Sequence, residues 1–454
     1  MDHNHSSRRA FLKTMGGMGG ASLLLAACGG GQSATTATVA PAEGGAATSA
    51  PSAGGQVKLH FLSAQVENAG YTGVIGALSK EFQQQNPSAV YEYEQSPQTD
   101  VEQKIQLLVA SNSLPLLFVS PATGTMNEIA KKGLSVNVEQ TFKELGIFDT
   151  IKPVAADLVR KIGGGSMNVL PTELNIEGIW YNKQIFAENG LSVPATWDDM
   201  AKAAEALSAK GIQPFAASGE QGWPLTRLIG GYAVRKYGAD VMERVAKGEL
   251  KLTDAGFVEA AKAVQDLGTK GYFGEGVSTV DYDTATDLFL QGKAAMFYMG
   301  SWVVGDFNNA ERNQIGAENI GFFNTPTVAG GAGSADDWSM NTGLPIAIGQ
   351  AEYSKNPELV GKWLTYVFKA FGERALKDQG LITGFTVASM PSDVPALTNL
   401  VQQTIDSAKN AFLYFEGYFA GEAQTTSYKN VQLLVTGDMS AEDFVASIQQ
   451  ALEK

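Results

Sequence analysis

VKLHFLSAQVENAGYTGVIGALSKEFQQQNPSAVYEYEQ, residues 57–95, is the stretch that decides the fold class of this chain. Residues 57–62 are mostly apolar and predict a strand. Residues 72–85 then carry apolar side chains at helical spacing, and the pair Asn86-Pro87 predicts the end of that helix. Residues 90–94 alternate between apolar and polar side chains, which indicates a second strand. The order strand, helix, strand is typical of an α/β domain.

The same order continues further along the chain. Residues 101–109 repeat the helical spacing, and the continuous apolar run 114–119 is typical of a strand that is buried on both faces. Strands and helices in this order predict an α/β fold with a doubly wound parallel sheet. Because such sheets bind ligands at the carboxyl ends of their strands, we expect binding loops at residues 63–70 and 120–125.

A second region begins after the glycine break at residues 163–165. Thr196 and Asp199 have the spacing of a capping box before an amphipathic helix, and Ser440 and Asp443 repeat that spacing before the last helix. The chain from residue 56 onward is long enough to form two lobes with separate hydrophobic cores.

The amino-terminal segment predicts export. Residues 7–13, SRRAFLK, resemble the core of the twin-arginine signal, and the apolar run 21–27 is too short to span a membrane. Residues 25–28, LAAC, resemble a bacterial lipobox. We expect residues 1–27 to be a twin-arginine lipoprotein signal peptide and Cys28 to be the lipidated first residue of the mature protein. An ordinary signal peptidase site beside a stray cysteine is the alternative.

Residues 28–55 follow the predicted lipidation site and are rich in Gly, Ala, Ser and Thr. This composition predicts a flexible linker, whose length gives a reach of roughly 30 Å. We therefore expect the protein to be held by its lipid anchor at the outer face of the cell membrane, in an extracellular or periplasmic location.

Composition excludes several classes of function. The chain has 33 basic and 47 acidic residues, and loss of residues 1–27 removes three basic residues and one acidic residue, which leaves a net charge of −16. Nucleic acid would repel such a protein, so we expect no nucleic-acid partner. His60 and Cys28 are the only histidine and cysteine of the mature sequence. A cysteine–histidine pair for catalysis and a histidine-rich zinc site are therefore excluded, and we expect no cofactor and no metal.

Two long segments resemble a known family. GIWYNKQIFAENGLSVPATWDDMAKAAEALSAKGIQPFA, residues 178–217, and DLFLQGKAAMFYMGSWVVGDF, residues 287–307, are similar to motifs of the family 1 extracellular solute-binding proteins of ABC importers. Residues 57–119 resemble the opening lobe of that family, and residues 437–453 resemble its closing helix. The resemblance covers essentially the whole chain from residue 57.

The resemblance implies a two-lobed periplasmic-binding-protein fold with a ligand cleft between the lobes. The chain would cross the hinge near Glu173, near Thr342 and near Val387. Lobe 1 would then comprise residues 56–173 and 342–387, and lobe 2 would comprise residues 174–341 and 388–454.

The function that the resemblance implies is capture of a small-molecule solute and its delivery to ABC permease subunits by a monomeric protein that is not an enzyme. The carbohydrate-binding members of the family favour a sugar or an oligosaccharide. Glycerol phosphate remains open as a solute because Arg227 and Arg235 could bind a phosphate, and a polyamine also remains open. A surface glycosidase that uses two carboxylates is a further alternative.

Aromatic rings that can lie against the C–H faces of a sugar are the first candidates for the site. Trp302 occupies the G-x-W position of the family, where the resemblance implies contact with sugar. Trp223 and Trp338 lie in sequence typical of loops, where each could either face the cleft or fill space within a lobe. Trp197 and Trp363 fall on apolar helix faces and are expected in the core, whereas Trp180 could belong to either group.

Polar partners are expected from loops around the cleft, although each could instead be a solvated loop residue. Maltodextrin-binding members of the family carry aromatic and charged side chains after the third strand. This sequence has Ser120-Pro-Ala-Thr-Gly124 there, so maltodextrin specificity is not implied. Residues 281–287 begin like a calcium loop but lack ligand positions, and we expect them to cap a helix. The polar candidates are Gln65, Glu67, Asn68, Ser120, Thr123, Glu173, Asn175, Glu220 and Gln221.

Overall fold

The computed structural model describes residues 56–454 except for 98, 99, 122, 420 and 421. The predicted signal peptide, the lipidation site at Cys28 and the linker therefore lie outside the described residues. Strands and helices alternate from residue 57 to residue 119, as the apolar periodicity predicts, and further helices follow up to the glycine break. The elements of this part are β1 (Val57–Ser63), α1 (Gly70–Gln85), β2 (Ala89–Gln95), α2 (Val101–Ala110), β3 (Leu117–Val119), α3 (Thr123–Lys131), α4 (Val138–Glu144) and α5 (Pro153–Ile162).

The middle of the chain contains the first predicted capping box. The Thr196 hydroxyl accepts the N–H of Asp199, and the Asp199 carboxylate accepts the N–H of Thr196. These reciprocal bonds satisfy two backbone donors at the helix start. The elements are β4 (Asn175–Asn182), α6 (Lys183–Glu188), α7 (Trp197–Ser208), β5 (Gln213–Ala216), α8 (Trp223–Tyr237), α9 (Val241–Ala246), α10 (Ala255–Thr269), α11 (Tyr282–Leu290), β6 (Ala294–Gly300), α12 (Val304–Asn308), β7 (Ile320–Phe323) and β8 (Asp337–Asn341).

The last part of the chain adds one strand to each sheet and ends in a helical pair. Ser440 accepts the N–H of Asp443 and caps the final helix, as the sequence predicts. The elements are β9 (Ile346–Ile348), α13 (Gln350–Lys355), α14 (Pro357–Gln379), α15 (Ala396–Ser407), β10 (Asn410–Phe412), α16 (Glu422–Thr436) and α17 (Ala441–Leu452).

Two sheets organise the described chain. The first has the order β2-β1-β3-β9, in which β1 pairs in parallel with β2 and β3. The predicted parallel pairing holds for these three strands, and β9 adds an edge strand that pairs with β3 in the antiparallel direction. The second sheet has the order β10-β8-β4-β6-β5, with β7 also paired to β4, and most of its pairs are antiparallel. We call the part built on the first sheet lobe 1 and the part built on the second sheet lobe 2.

The chain passes between the two sheets more than once. It leaves lobe 1 before β4 begins at Asn175, and it returns between the end of β8 at Asn341 and the start of β9 at Ile346. It reaches the second sheet again at β10. The first two connecting segments, before β4 and after β8, lie beside each other because β4 pairs with β8 through Asn175 and Asn341.

The tryptophans expected in the core are buried. Trp363 is fully buried and its indole N–H donates to the Ser79 hydroxyl at 3.0 Å, which joins α14 to α1. Trp197 is 6% exposed and packs edge-on against Tyr232. Trp180, which the sequence left undecided, is fully buried in β4. In the described part of the chain, no helix combines the length and apolar character that crossing a bilayer requires.

Candidate ligand-binding cleft

A cleft of about 480 Å³ lies where the two lobes meet. Lobe 1 contributes the carboxyl end of β3, the start of α2 and the end of α5. Lobe 2 contributes the first turn of α8 and the segment after β10, and the connection between β8 and β9 closes one side. The cleft therefore lies at the carboxyl end of a parallel strand, as expected for an α/β sheet.

Two tryptophans form an aromatic wall on the side of lobe 2. Trp223 and Trp302 both line the cleft, and their ring centroids are 5.7 Å apart in an edge-to-face arrangement. Trp302 lies in a short 3₁₀ turn directly after β6. Its ring covers Gly300, where a Cβ atom would lie only 1.9 Å from the indole. The glycine of the G-x-W motif is thus needed for the ring to lie where it does.

The sequence predicted a loop at Trp223, and this prediction is wrong. Trp223 is the first residue of α8. The backbone before it has a positive φ of 73° at Gly222, and Pro224 follows at a position where a helix needs no N–H donor. Glycine and proline here mark a helix start. The local composition that suggested a loop therefore reflects the boundary of the helix.

Arg227 lies one turn further along α8 and is packed between two aromatic rings. Its guanidinium carbon is 4.4 Å from the Trp223 ring centroid and 4.0 Å from that of Tyr414, distances at which a cation is attracted to a ring face. Nε donates to Glu416 at 3.0 Å, and Nη1 donates to Glu177 at 2.9 Å. The cation is therefore matched by two carboxylates, both of which are fully buried.

Burial and the contacts within this cluster shift the pKa values of Arg227 and Glu416. Burial alone would lower the pKa of Arg227, but the attraction of Glu177 and Glu416 raises it above the ordinary arginine value. Burial raises the pKa of Glu416 above the ordinary glutamate value, and the nearby Arg227 only partly offsets this effect. Arg227 therefore remains charged, and two of its nitrogens are occupied by protein carboxylates.

A chain of side-chain hydrogen bonds runs from this cluster to the connection between the lobes. Asn341 lines the cleft and donates from Nδ2 to Glu177 at 2.9 Å. Asn175 lies behind it and donates to Asn341 Oδ1 and to Glu173, each at 3.4 Å. Glu173 also accepts from Gln65 of lobe 1 at 3.4 Å. The predicted residues Gln65, Glu173 and Asn175 are thus brought together, but behind the residues that line the cleft.

The lobe 1 wall is aliphatic with a few neutral polar groups and the carboxylate of Glu102. Ser120 and Thr123, both predicted from the sequence, line the cleft near the end of β3. Asn168 also lines it and is 7% exposed. Sequence reasoning missed Asn168 because it follows a glycine-rich segment and belongs to no predicted strand end. It also missed the position of Arg227 between the two rings, since Tyr414 and Glu416 are remote in the sequence.

The remaining predicted residues lie away from the lining of this cleft. Glu67 pairs with Lys80 at 3.0 Å on the surface, and Asn68 is exposed. Gln221 contacts Ser218, and Glu220 is exposed beside α16. These four side chains follow the expected loops but do not belong to the lining of the cleft.

Trp338 was predicted to lie in a loop, and this prediction is wrong because it belongs to β8. Its ring stacks on Phe322 with a centroid distance of 5.5 Å and an interplanar angle of 20°. Asp337, which precedes it, is buried and accepts from Asn410. The polar sequence around Trp338 therefore pairs with a neighbouring strand and does not enter the cleft lining.

Residues 281–287 cap a helix as predicted. The Asp281 carboxylate accepts the N–H of Thr284 at 2.7 Å at the start of α11. Among residues that the structure describes, no group of three or more His, Cys, Asp or Glu side chains is arranged to hold a metal ion.

Comparison with known proteins assigns the chain to a class. Residues 66–370 match the profile of the family described as bacterial extracellular solute-binding protein, and the chain belongs to this family. An ABC transporter extracellular-binding protein of Pyrococcus horikoshii is 26% identical over 236 residues, which are 50% of this chain and 53% of that protein. The multiple sugar-binding protein of Streptococcus mutans is 31% identical over 140 residues, which are 30% of this chain and 33% of that protein.

These matches span about half and about a third of the two relatives. The solved structure of a chitin oligosaccharide binding protein covers 88% of this chain and 99% of its own, with a TM-score of 0.73 and 24% identity. That likeness supports the two-lobed fold.

Proposed function

We propose that this chain is the substrate-binding protein of an ABC importer and that it captures a neutral sugar or oligosaccharide in the cleft. The observation that carries the proposal is the pairing of the Trp223 and Trp302 rings with a facing wall whose polar side chains are neutral except for Glu102. Aromatic rings pack against the C–H faces of sugars, and amides and hydroxyls both donate and accept hydrogen bonds. The name of the Streptococcus mutans relative agrees with a sugar as the solute.

An anionic solute such as glycerol phosphate is less well supported. Arg227, the cation nearest the aromatic wall, already donates to Glu177 and Glu416. Arg235 is fully buried and donates to the backbone carbonyls of Thr325, Ser334 and Asp337. A phosphate would therefore have to displace protein carboxylates from Arg227.

A polyamine or a glycosidase mechanism would both require available carboxylates. Glu177 and Glu416 are held by Arg227, so neither is free to bind an amine or to exchange a proton with a sugar. Among the described lining residues, Glu102 is the one carboxylate, so the pair of carboxylates that a glycosidase uses is not assembled in the cleft. We therefore propose binding without catalysis.

The wider proposal concerns capture and delivery. In this proposal, lobe 1 comprises residues 56–173 and 342–387, and lobe 2 comprises residues 174–341 and 388–454. The protein is a monomer, and its two lobes close on the solute before the protein contacts the permease. A solute drives closure only if it binds the closed form more tightly than the open form. Lipidation of Cys28 after removal of residues 1–27 would hold the protein at the membrane, and mass spectrometry of the amino-terminal peptide would detect the acyl chains.

Calorimetric titration of a defined panel tests the proposed solute. The panel contains maltose, raffinose, galactose, xylobiose and chitobiose, with glycerol 3-phosphate and spermidine as the charged alternatives. We expect saturable binding of at least one saccharide, a change in tryptophan fluorescence and unchanged saccharide on chromatography afterwards. Binding of only a charged compound would contradict the sugar proposal, and accumulation of a cleaved product would contradict binding without catalysis.

A further inference from the structure

The lobe 1 wall of the cleft contains a buried amide that other described residues leave unpartnered. Asn168 is 7% exposed and lines the cleft, yet its side chain makes no hydrogen bond to the part of the chain that the structure describes. Two other asparagine side chains in the cleft lining do have hydrogen-bond partners. Asn127 donates to the carbonyl of Ile162 at 3.2 Å, and Asn341 both donates to Glu177 and accepts from the N–H of Gly343. The amide of Asn168 is therefore available to a molecule in the cleft.

The backbone around Asn168 is held in place on both sides. The carbonyl of Met167 accepts the N–H of Val138 at 2.8 Å, and Leu170 forms a bridge with Ile346 in β9. Asn168 therefore belongs to a segment fixed against the first sheet. Its orientation toward the cleft is set by that segment.

The space around the amide is also formed by specific residues. A Cβ atom on Gly163 would lie 3.2 Å from Nδ2 of Asn168, so the amide lies over the end of α5. Val159 and Ile162 of the same helix end line the cleft beside it. The result is an aliphatic surface with one donor and one acceptor at its edge.

We propose that Asn168 is a specificity-determining residue that binds two adjacent hydroxyl groups of the saccharide. Oδ1 accepts a hydrogen bond from one hydroxyl, and Nδ2 donates to the neighbouring hydroxyl. The carbon face of the same sugar ring lies against Val159 and Ile162. The amide carries no charge, so this subsite selects a vicinal diol and not a phosphate or an amine. This inference rests on the proposed binding of a saccharide.

The experiment compares Asn168→Leu with Asn127→Leu in the mature chain. Leucine has a similar size and no polar atom, so Asn168→Leu removes both hydrogen bonds to the sugar and no bond within the protein. We expect at least a tenfold loss of affinity for the saccharide of the panel that the wild type binds most tightly. We also expect the melting temperature of the sugar-free variant to be equal to or above that of the wild type. Asn127→Leu breaks a hydrogen bond to Ile162 and should melt at a lower temperature.

The outcomes separate this inference from the proposed function. If the wild type binds a saccharide and Asn168→Leu binds it equally well, the role of Asn168 is overturned while sugar binding stands. A sugar-free Asn168→Leu protein that loses as much thermal stability as Asn127→Leu would identify Asn168 as a structural residue and would also overturn the inference. If the wild type binds no saccharide of the panel, the proposed function fails, and the role of Asn168 fails with it.

Discussion

Among individual residues, Trp302 and Trp223 provide the aromatic surface of the cleft. Trp302→Ala removes one face of this surface and the edge-to-face contact with Trp223. A lost aromatic contact of about 1.5 kcal/mol corresponds to roughly a tenfold weaker affinity for the bound saccharide. Trp338→Phe is the matched control, since Trp338 stacks on Phe322 outside the cleft lining. Equal affinity losses in the two variants, measured by calorimetry, would contradict the assignment of the aromatic wall.

Arg227 is the residue whose removal should cost the most stability. Arg227→Leu leaves Glu177 and Glu416 buried without their cation, and breaking such a pair typically costs about 3–5 kcal/mol. Arg374→Leu is the control, because Arg374 pairs with Glu81 and Asp378 at the surface and should cost less than about 1 kcal/mol. Urea unfolding of both variants measures the difference. Similar free energies of unfolding would contradict the buried network.

Residue-level prediction from the sequence was limited by the distance between partners. Trp302 could be selected because it occupies the G-x-W position of the family motif, which is contained in three consecutive residues. Arg227 contacts Glu177 and Glu416, which are 50 and 189 residues away, so no local pattern reports their meeting. Asn168 is informative only because its side chain has no partner among the residues that the structure describes, which is a property of the packed structure.

At the scale of elements, helix α8 sets the position of the lobe 2 wall. Trp223 is its first residue, Arg227 lies one turn further along, and Gly222 directly before the helix has a φ of 73°. A Cβ atom at Gly222 would lie 2.2 Å from the carbonyl oxygen of Tyr428. Gly222→Ala should therefore move the start of α8, lowering both the melting temperature and the saccharide affinity. Gly305→Ala, with open space around the Cβ position, should lower neither. A Gly222→Ala variant that matches the wild type in both measurements would contradict this account.

Elements whose boundaries are set by neighbouring residues could be predicted from the sequence. Elements that depend on pairing with distant strands could not. The starts of α7 and α17 follow from Thr196 and Ser440, whose side chains bond to residues three positions later. Strand β8 has a polar sequence that resembles a loop, but it is completed by β4 and β10. The antiparallel edge strand β9 likewise depends on pairing with β3, which is remote in the sequence.

For the whole molecule, Glu173 is half-buried where the chain passes between the lobes. Burial raises its pKa above the ordinary value of 4.5, although hydrogen bonds from Gln65 and Asn175 oppose the shift. The charged form is therefore less favourable in the folded protein, and this cost appears as the pH rises through the raised pKa. Glu173→Gln should raise the melting temperature at neutral pH and have no such benefit below pH 4.5.

Glu139 is the control of opposite sign. Hydrogen bonds from Arg160 and Lys143 lower its pKa to about 2, so its charge stabilises the folded protein above pH 4.5, and this stability is lost as the pH falls toward 2. Glu139→Gln should therefore lower the melting temperature at neutral pH. The melting temperatures of both variants are measured across pH. If both variants differ from the wild type in the same direction at neutral pH, the raised pKa of Glu173 is contradicted.

Closure of the two lobes on a saccharide is the central claim for the whole molecule. Small-angle X-ray scattering of the mature protein, with and without a saturating concentration of the saccharide that binds most tightly, tests it most directly. We predict a smaller radius of gyration in the presence of the saccharide, because lobe closure makes the molecule more compact. Superimposable scattering profiles under conditions where calorimetry shows saturation would contradict capture by closure.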